Sequence, residues 1–265
     1  MAIIALKAWY LRDYEPIKEL EKRPHDLRLS KNSLLKSGLR ADFLDESQDV
    51  KNSEWFGRYL DGEIVEFYIE GSGGYAVSNV DLISHEIYFS KQEVMAHLAP
   101  IIFFSHQTEY TTSSDTLRNA LSETLNTFNQ RSRLPLTLEE SRRPVGEPMR
   151  LNSTQMRKIR KSLLFIADGT PITRMEGDKA SLAIPSPNVC VEIGYALTAK
   201  RTEQILLAKM ERQDLAGQFP FDLPNYQQLL FQKPEDLRKT LPSVLETLLQ
   251  RYSILTGKKR GTSQK

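Results

Sequence analysis

The chain has 265 residues, of which 40% are apolar and 26% are charged, an ordinary composition for a globular protein. Its single cysteine, Cys190, excludes an internal disulfide, and no apolar stretch approaches the roughly 18 residues that a membrane span needs. Because the N-terminus lacks the basic segment of a secretory signal, we expect a cytoplasmic protein with no membrane partner.

Residues 1–97 predict a smaller α+β domain. Residues 14–22 and 30–44 have the apolar spacing of two short helices, whereas residues 63–89 are rich in strand-forming side chains. Residues 71–74, with the sequence GSGG, interrupt this strand-rich segment. They lack both the lysine and the following helix of a phosphate-binding loop, so they predict a hairpin turn.

After these residues the pattern changes to short apolar runs that alternate with helical spacing. The apolar runs are residues 101–104, 163–167 and 205–208, with shorter strand candidates at 134–138 and 227–231. Helices are predicted over residues 115–128, 153–161, 186–200 and 234–254. Strands that are apolar throughout are typical of sheets covered on both faces, so residues 98–256 predict a five-stranded, doubly wound parallel sheet. Residues 257–265 predict a disordered basic tail.

Ligands of such sheets bind at the carboxyl ends of the strands, and polar side chains follow the predicted strands there. The candidate binding residues are Ser105, His106, Asp168, Thr170, Asn188, Tyr195 and Asp222. Glu192 lies about one and a half turns into the helix that begins at Ser186-Pro187, where the helix dipole stabilises a carboxylate. From its spacing alone, Glu192 is compatible with a catalytic carboxylate and with a carboxylate that only stabilises the helix dipole.

Three further features bear on ligands. The polar insert at residues 172–184 predicts a lid or a flexible loop. The four histidines lack the spacing of metal ligands and no second cysteine is present, so no metal site is expected. Residues 131–161 carry nine basic and three acidic side chains, but no motif of a nucleic-acid-binding module accompanies them. Nucleic acid is therefore not an expected partner.

Four segments of the second half share a pattern with a known superfamily. They are LLFIADGTP at residues 163–171, SPNVCVEIGYA at 186–196, ILL at 205–207 and FPFDL at 219–223. Together they resemble the superfamily that joins TIR-like domains and nucleoside 2-deoxyribosyltransferases. The resemblance covers residues 100–255 and implies a flavodoxin-like parallel sheet. No family is recognised for residues 1–97.

The resemblance implies cleavage of an N-glycosidic bond, with Glu192 in the position of the glutamate that works at the ribose. Departure of nicotinamide leaves a cationic sugar, which a nearby carboxylate stabilises or captures. The implied protein is a TIR-like enzyme of defence or signalling that hydrolyses or cyclises NAD as its substrate, needs no cofactor and forms a homo-oligomer. Residues 1–97 would then be a regulatory or oligomerising module.

Two alternatives stay open. One is a non-catalytic module that binds a nucleotide-type small molecule or a protein partner through the same cleft. The other is a nucleoside or nucleotide N-glycosidase or deoxyribosyltransferase. Against the transferase, Ser186 stands where that branch usually carries an aspartate.

Overall fold

The structure, a computed structural model, describes residues 5–34, 38–92, 95–143, 153–177, 181–220 and 227–255. The chain divides into two compact units, residues 1–97 and 98–265. Among the described helices, none combines the length and the apolar character needed to cross a bilayer.

The first unit is built on a closed antiparallel barrel. Its strands are β1 (Ala5–Tyr10), β2 (Leu27–Leu34), β3 (Gly38–Phe43), β4 (Glu66–Ile69), β5 (Gly73–Asp81) and β6 (Glu86–Lys91). They close in the order β1-β2-β3-β6-β5-β4. Three short helices accompany them, α1 (Ile17–Leu20), α2 (Ser47–Asn52) and α3 (Glu54–Leu60). The unit is therefore dominated by antiparallel strands.

The helix expected over residues 30–44 is wrong, because the apolar side chains there alternate rather than follow a helical period. Leu39, Ala41 and Phe43 are buried in β3 while the side chains between them are more exposed, which is the period-two pattern of a strand. The helix expected over residues 14–22 is reduced to one turn, α1. The inward-facing side chains form one aromatic core, in which the ring centroids of Trp55 and Phe67 lie 5.2 Å apart.

The hairpin turn predicted at residues 71–74 is confirmed. It joins β4 to β5, with Ile69 paired to Gly73. Gly71 and Gly73 have φ angles of +68° and +110°, a backbone region that glycine enters without the strain a Cβ would introduce.

The second unit carries the predicted parallel sheet. Its strands are β7 (Ala99–Ser105), β8 (Thr137–Glu140), β9 (Ser162–Asp168), β12 (Ile205–Met210) and β13 (Gln228–Phe231), with β10 (Pro171–Met175) and β11 (Leu182–Pro185) as a separate antiparallel pair. The five pair in parallel in the order β13-β12-β9-β7-β8. The helices are α4 (Thr111–Asn129), α5 (Ser153–Lys161), α6 (Pro187–Ala199) and α7 (Pro234–Gln250). The five-stranded parallel sheet, with the three apolar runs as its central strands, is confirmed.

Both faces of this sheet are covered by helices. On one face, Phe103, Phe165 and Leu207 pack with side chains of α5 and α6. Next to these in the strands, side chains such as Ile102 and Ile166 point to the opposite face, where α4 contacts β9 and β12 and packs on α7. Because β8 lies on one side of β7 and β9 on the other, the connections reverse between β7 and β9. This reversal is the place where open α/β sheets form their ligand crevice.

Two details around α6 differ from expectation. The insert at residues 172–184 forms the β10–β11 hairpin rather than an irregular loop, with residues 178–180 outside the described part. Ser186 is the residue before the first turn of α6, as predicted, but its hydroxyl donates to the Glu109 carboxylate at 2.9 Å and caps no amide of the helix. The predicted tail at residues 257–265 also lies outside the described residues.

Candidate functional site

Glu192 lies in the second turn of α6 and is fully buried, with 0% of its surface exposed. The neighbouring buried positions of α6, Val189, Ile193 and Ala196, pack into the apolar core on that face of the sheet. A carboxylate in such surroundings is destabilised unless donors or a cation compensate for the lost water. The groups around Glu192 therefore decide what it can do.

Three side chains donate to this carboxylate, and each comes from a different element. Arg143, which follows β8, approaches with both terminal nitrogens, Nη1 to Oε1 at 2.7 Å and Nη2 to Oε2 at 2.8 Å. The Ser105 hydroxyl at the end of β7 donates to Oε2, and the Gln155 amide on α5 donates to Oε1. We refer to Glu192, Ser105, Arg143 and Gln155 as the Glu192 cluster. Each carboxylate oxygen thus has one donor from arginine and one from a neutral side chain.

Arg143 is also bound to the end of β7. Its Nε donates to the backbone carbonyl of His106 at 2.8 Å, and its side chain is only 4% exposed. The His106 ring itself points elsewhere, with Nδ1 3.5 Å from a carboxylate oxygen of Glu140 and 3.3 Å from the Ser141 hydroxyl. Burial, followed by the positive charge of Arg143, lowers the pKa of His106 below its usual value. The imidazole is therefore favoured in its neutral form.

A second buried polar group lies where β9 ends. Asp168 Oδ2 accepts from the hydroxyls of Ser113 and Ser114, both at 2.6 Å, and Oδ1 accepts from the Thr170 amide at 3.0 Å. We refer to Asp168, Ser113, Ser114 and Thr170 as the Asp168 cluster. Since the two serines lie in the first turn of α4, Asp168 also lies near the positive end of that helix dipole. The cluster ties the start of α4 to the carboxyl edge of the sheet.

Gln107 spans the gap between β7 and β9. Its amide nitrogen donates to the Thr170 carbonyl at 3.0 Å, and its backbone amide donates to the Ser114 hydroxyl at 3.0 Å. Its Oε1 is buried and has no hydrogen-bond donor among the described residues. This acceptor lies on a residue of the crevice at which the sheet connections reverse.

The remaining predicted binding residues are placed as follows. Asn188 is half-buried, one turn before Glu192, and makes no side-chain hydrogen bond to it within the described part of the chain. Tyr195 packs against the apolar core of α5 and α6, together with Phe219. Thr170 is buried, and its hydroxyl accepts from the Met210 amide at 2.9 Å. Asp222 lies outside the described residues.

A cavity of about 270 Å³ lies beside the end of β12. It is lined by Pro171 and Ala183 of the β10–β11 hairpin and by Met210, Arg212 and Leu215. Arg212 is held over the Tyr110 ring, with its Cζ 4.4 Å from the ring centroid. In the part of the chain that the structure describes, no three His, Cys, Asp or Glu side chains are arranged to hold a metal ion.

The sequence predicts Ser105 and Glu192 at one edge of the sheet, with Gln107 in the segment that follows the first strand, but it does not predict the roles of Arg143 and Gln155. Arg143 belongs to the basic stretch at residues 131–161, which reads as a solvated surface. Gln155 does carry a signal, because it lies one helical turn before Ile159 and is buried with it. A polar side chain on the apolar stripe of a short helix indicates a buried hydrogen-bond partner.

No protein-family model matches the chain, and neither does any curated protein or any solved structure. The resemblance described above therefore rests on the quoted residues, and the chemistry must be argued from the two buried polar clusters.

Proposed function

We propose that the second unit cleaves the N-glycosidic bond of NAD, with Glu192 as the carboxylate that faces the ribose. The observation that carries the proposal is the burial of this carboxylate at the carboxyl edge of a doubly wound sheet, where such folds bind ligands. Ser105 and Gln155 fix both oxygens from the sides, so the carboxylate has one orientation. A charge fixed in advance stabilises a developing cation without reorganisation.

Cleavage of this bond requires few catalytic groups besides Glu192. The bond between the ribose carbon and the pyridinium nitrogen breaks, its electron pair goes to nicotinamide, and the sugar becomes an oxocarbenium-like cation. Glu192 would stabilise this cation until water, or a hydroxyl of the same substrate in a cyclisation, adds to the carbon and loses a proton. Nicotinamide leaves as a neutral molecule, so no strong general acid is required.

We expect Arg143 to restrain this proposed activity. Its guanidinium occupies one acceptor position on each oxygen of Glu192 and neutralises the charge that a sugar cation would need. A substrate therefore reaches Glu192 only after Arg143 has exchanged its partner or moved. The wild-type chain is expected to be slow under conditions that keep this ion pair.

The test is the release of nicotinamide from NAD by the purified full chain, at low and at high protein concentration. Replacing Glu192→Gln keeps the shape of the side chain but removes its charge and replaces one acceptor oxygen with a donor amide, and it should reduce the rate by about 10²–10³-fold. The matched control is Glu123→Gln, an exposed glutamate of α4 paired with Arg238, which should leave the rate unchanged. Equal rates for wild type and Glu192→Gln would contradict the role of Glu192.

A second candidate function is a nucleotide-binding module without catalysis. The observation that favours it is the saturation of Glu192, because four donated hydrogen bonds are also what a purely structural buried carboxylate requires. This candidate predicts NAD binding without nicotinamide release. It also predicts that Glu192→Gln changes stability alone.

A further inference from the structure

The ion pair between Arg143 and Glu192 limits which ligands can displace Arg143 from the carboxylate. The Arg143 side chain is 4% exposed and donates to the Glu192 carboxylate with two nitrogens and to the His106 carbonyl with the third. Separating this ion pair takes from Arg143 the carboxylate that it binds with two nitrogens, which is unfavourable unless another anion takes its place. Arginine remains charged at any ordinary pH, so its new partner must supply negative charge.

A phosphate group meets this requirement better than a neutral ligand. A guanidinium binds a phosphate through the same two parallel hydrogen bonds with which it binds a carboxylate. The bond from Nε of Arg143 to the His106 carbonyl is independent of Glu192, so it holds the guanidinium near the end of β7 during the exchange. A ligand with no anionic group offers nothing equivalent to the lost carboxylate.

Glu192 tolerates the exchange because its other two donors stay in place. Ser105 binds Oε2 and Gln155 binds Oε1, and neither hydrogen bond involves Arg143. After the exchange each oxygen keeps one neutral donor and gains one free acceptor position. The carboxylate then retains its orientation and recovers its uncompensated charge.

We propose that Arg143 is a specificity-determining residue that admits phosphorylated nucleosides and rejects the corresponding free nucleosides. The phosphate of the substrate replaces Glu192 as the anion bound by Arg143, and this replacement releases the Glu192 carboxylate for the sugar. The substrate class rests on the proposed function, whereas the exchange of anions at Arg143 does not. Binding and turnover therefore test the two separately.

The binding test uses inorganic pyrophosphate and isothermal titration calorimetry. Glu192→Gln removes the competing charge and should tighten pyrophosphate binding by about tenfold or more, since a hydrogen bond to a charged group is worth about that factor. Arg143→Gln removes the receptor and should weaken binding by at least the same factor. Arg118→Gln is the matched control, because Arg118 lies near the same edge of the sheet but is paired with Asp115 and Glu140.

Glu192→Gln keeps Arg143 intact, so this comparison remains informative even if Arg143→Gln folds poorly. Unchanged or weaker pyrophosphate binding by Glu192→Gln would overturn the proposal. So would an equal loss of pyrophosphate affinity in Arg118→Gln and Arg143→Gln. Absence of binding in wild type and in Glu192→Gln alike would also overturn it.

The turnover test compares nicotinamide mononucleotide with nicotinamide riboside, which differ by one phosphate. For wild type, the kcat/KM of nicotinamide release should be at least tenfold higher with the mononucleotide than with the riboside. Arg143→Gln should reduce this ratio by raising the kcat/KM for the riboside. If neither compound is cleaved while Glu192→Gln still tightens pyrophosphate binding, the proposed glycosidase function fails and the anion exchange stands. If both are cleaved equally by wild type, the specificity role of Arg143 fails and the glycosidase function stands.

Discussion

Replacing Arg143→Met tests how much the buried ion pair between Arg143 and Glu192 contributes to stability. The substitution leaves the Glu192 carboxylate at 0% exposure without its cation and removes hydrogen bonds of 2.7 and 2.8 Å. Breaking one side of a buried pair costs about 3–5 kcal/mol. Since Ser105 and Gln155 continue to donate to Glu192, we expect the lower end, about 3 kcal/mol for the second unit.

The measurement is thermal and urea unfolding followed by far-UV circular dichroism, which reports the four long helices of the second unit. Both tryptophans, Trp9 and Trp55, lie in the first unit, so their fluorescence separately follows that unit. A loss of about 3 kcal/mol corresponds to a fall in Tm of about 6–12 °C for a unit of this size. The double variant Arg143→Met with Glu192→Gln should recover part of the loss, because no buried charge remains without its partner.

The control is Arg238→Met, which breaks a surface pair with Glu123 whose side chains are 54% and 56% exposed. Such pairs contribute about 0–1 kcal/mol. If Arg143→Met loses no more stability than this control, the reasoning from burial is refuted. A loss of about 3 kcal/mol, well above that of the control, is the result expected for a buried ion pair.

Three further predictions concern the rest of the second unit. Ile166→Ala, at a fully buried position of β9, should reduce its free energy of unfolding by about 2–5 kcal/mol, measured by urea denaturation. Asp168→Asn should reduce the free energy of unfolding by about 1–3 kcal/mol, because the hydroxyls of Ser113 and Ser114 lose a charged acceptor. It should also accelerate amide hydrogen exchange in the first turns of α4, and unchanged exchange there would contradict this role of Asp168. Burial lowers the pKa of Lys200 from 10.5 to about 8, so the unfolded chain binds more protons between these values and stability should rise with pH above 8. That rise should be absent in Lys200→Met, as measured by urea denaturation at pH 7.5, 8.5 and 9.5.

The parallel sheet could be predicted because its three central strands each contain a continuous apolar run. An apolar run such as residues 163–167 is typical of a strand that is covered on both faces. In the structure, β9 is buried along its whole length. The barrel strands were harder to predict. In residues 30–44 four leucines stand among polar side chains and are compatible with a helix, and only the pairing of β3 with β2 and β6 shows that the side chains alternate with period two.

The candidate site was predictable only in part, for a geometric reason. Ser105 and Glu192 follow from the rule that strand ends and the next helix meet at one edge of the sheet. Arg143 follows the edge strand β8, and its long side chain crosses the end of β7 to reach α6. Nothing in the sequence around Arg143 distinguishes it from the other arginines of residues 131–161, because its role depends on a carboxylate 49 positions away.

The closure of the six-stranded barrel has a consequence for self-association. A closed barrel pairs every strand on both sides, so the six described strands of the first unit leave no open edge on which a second chain could continue a sheet. Among the described strands of the second unit, β8 and β13 are the two at the ends of the parallel sheet, each paired on one side. On one of them, β8, the carboxylates of Glu139 and Glu140 are paired with Lys158 and Arg118. The other, β13, exposes 49% of Leu230. Copies of this chain that joined by strand addition would therefore meet through β13, at the opposite end of the sheet from β8.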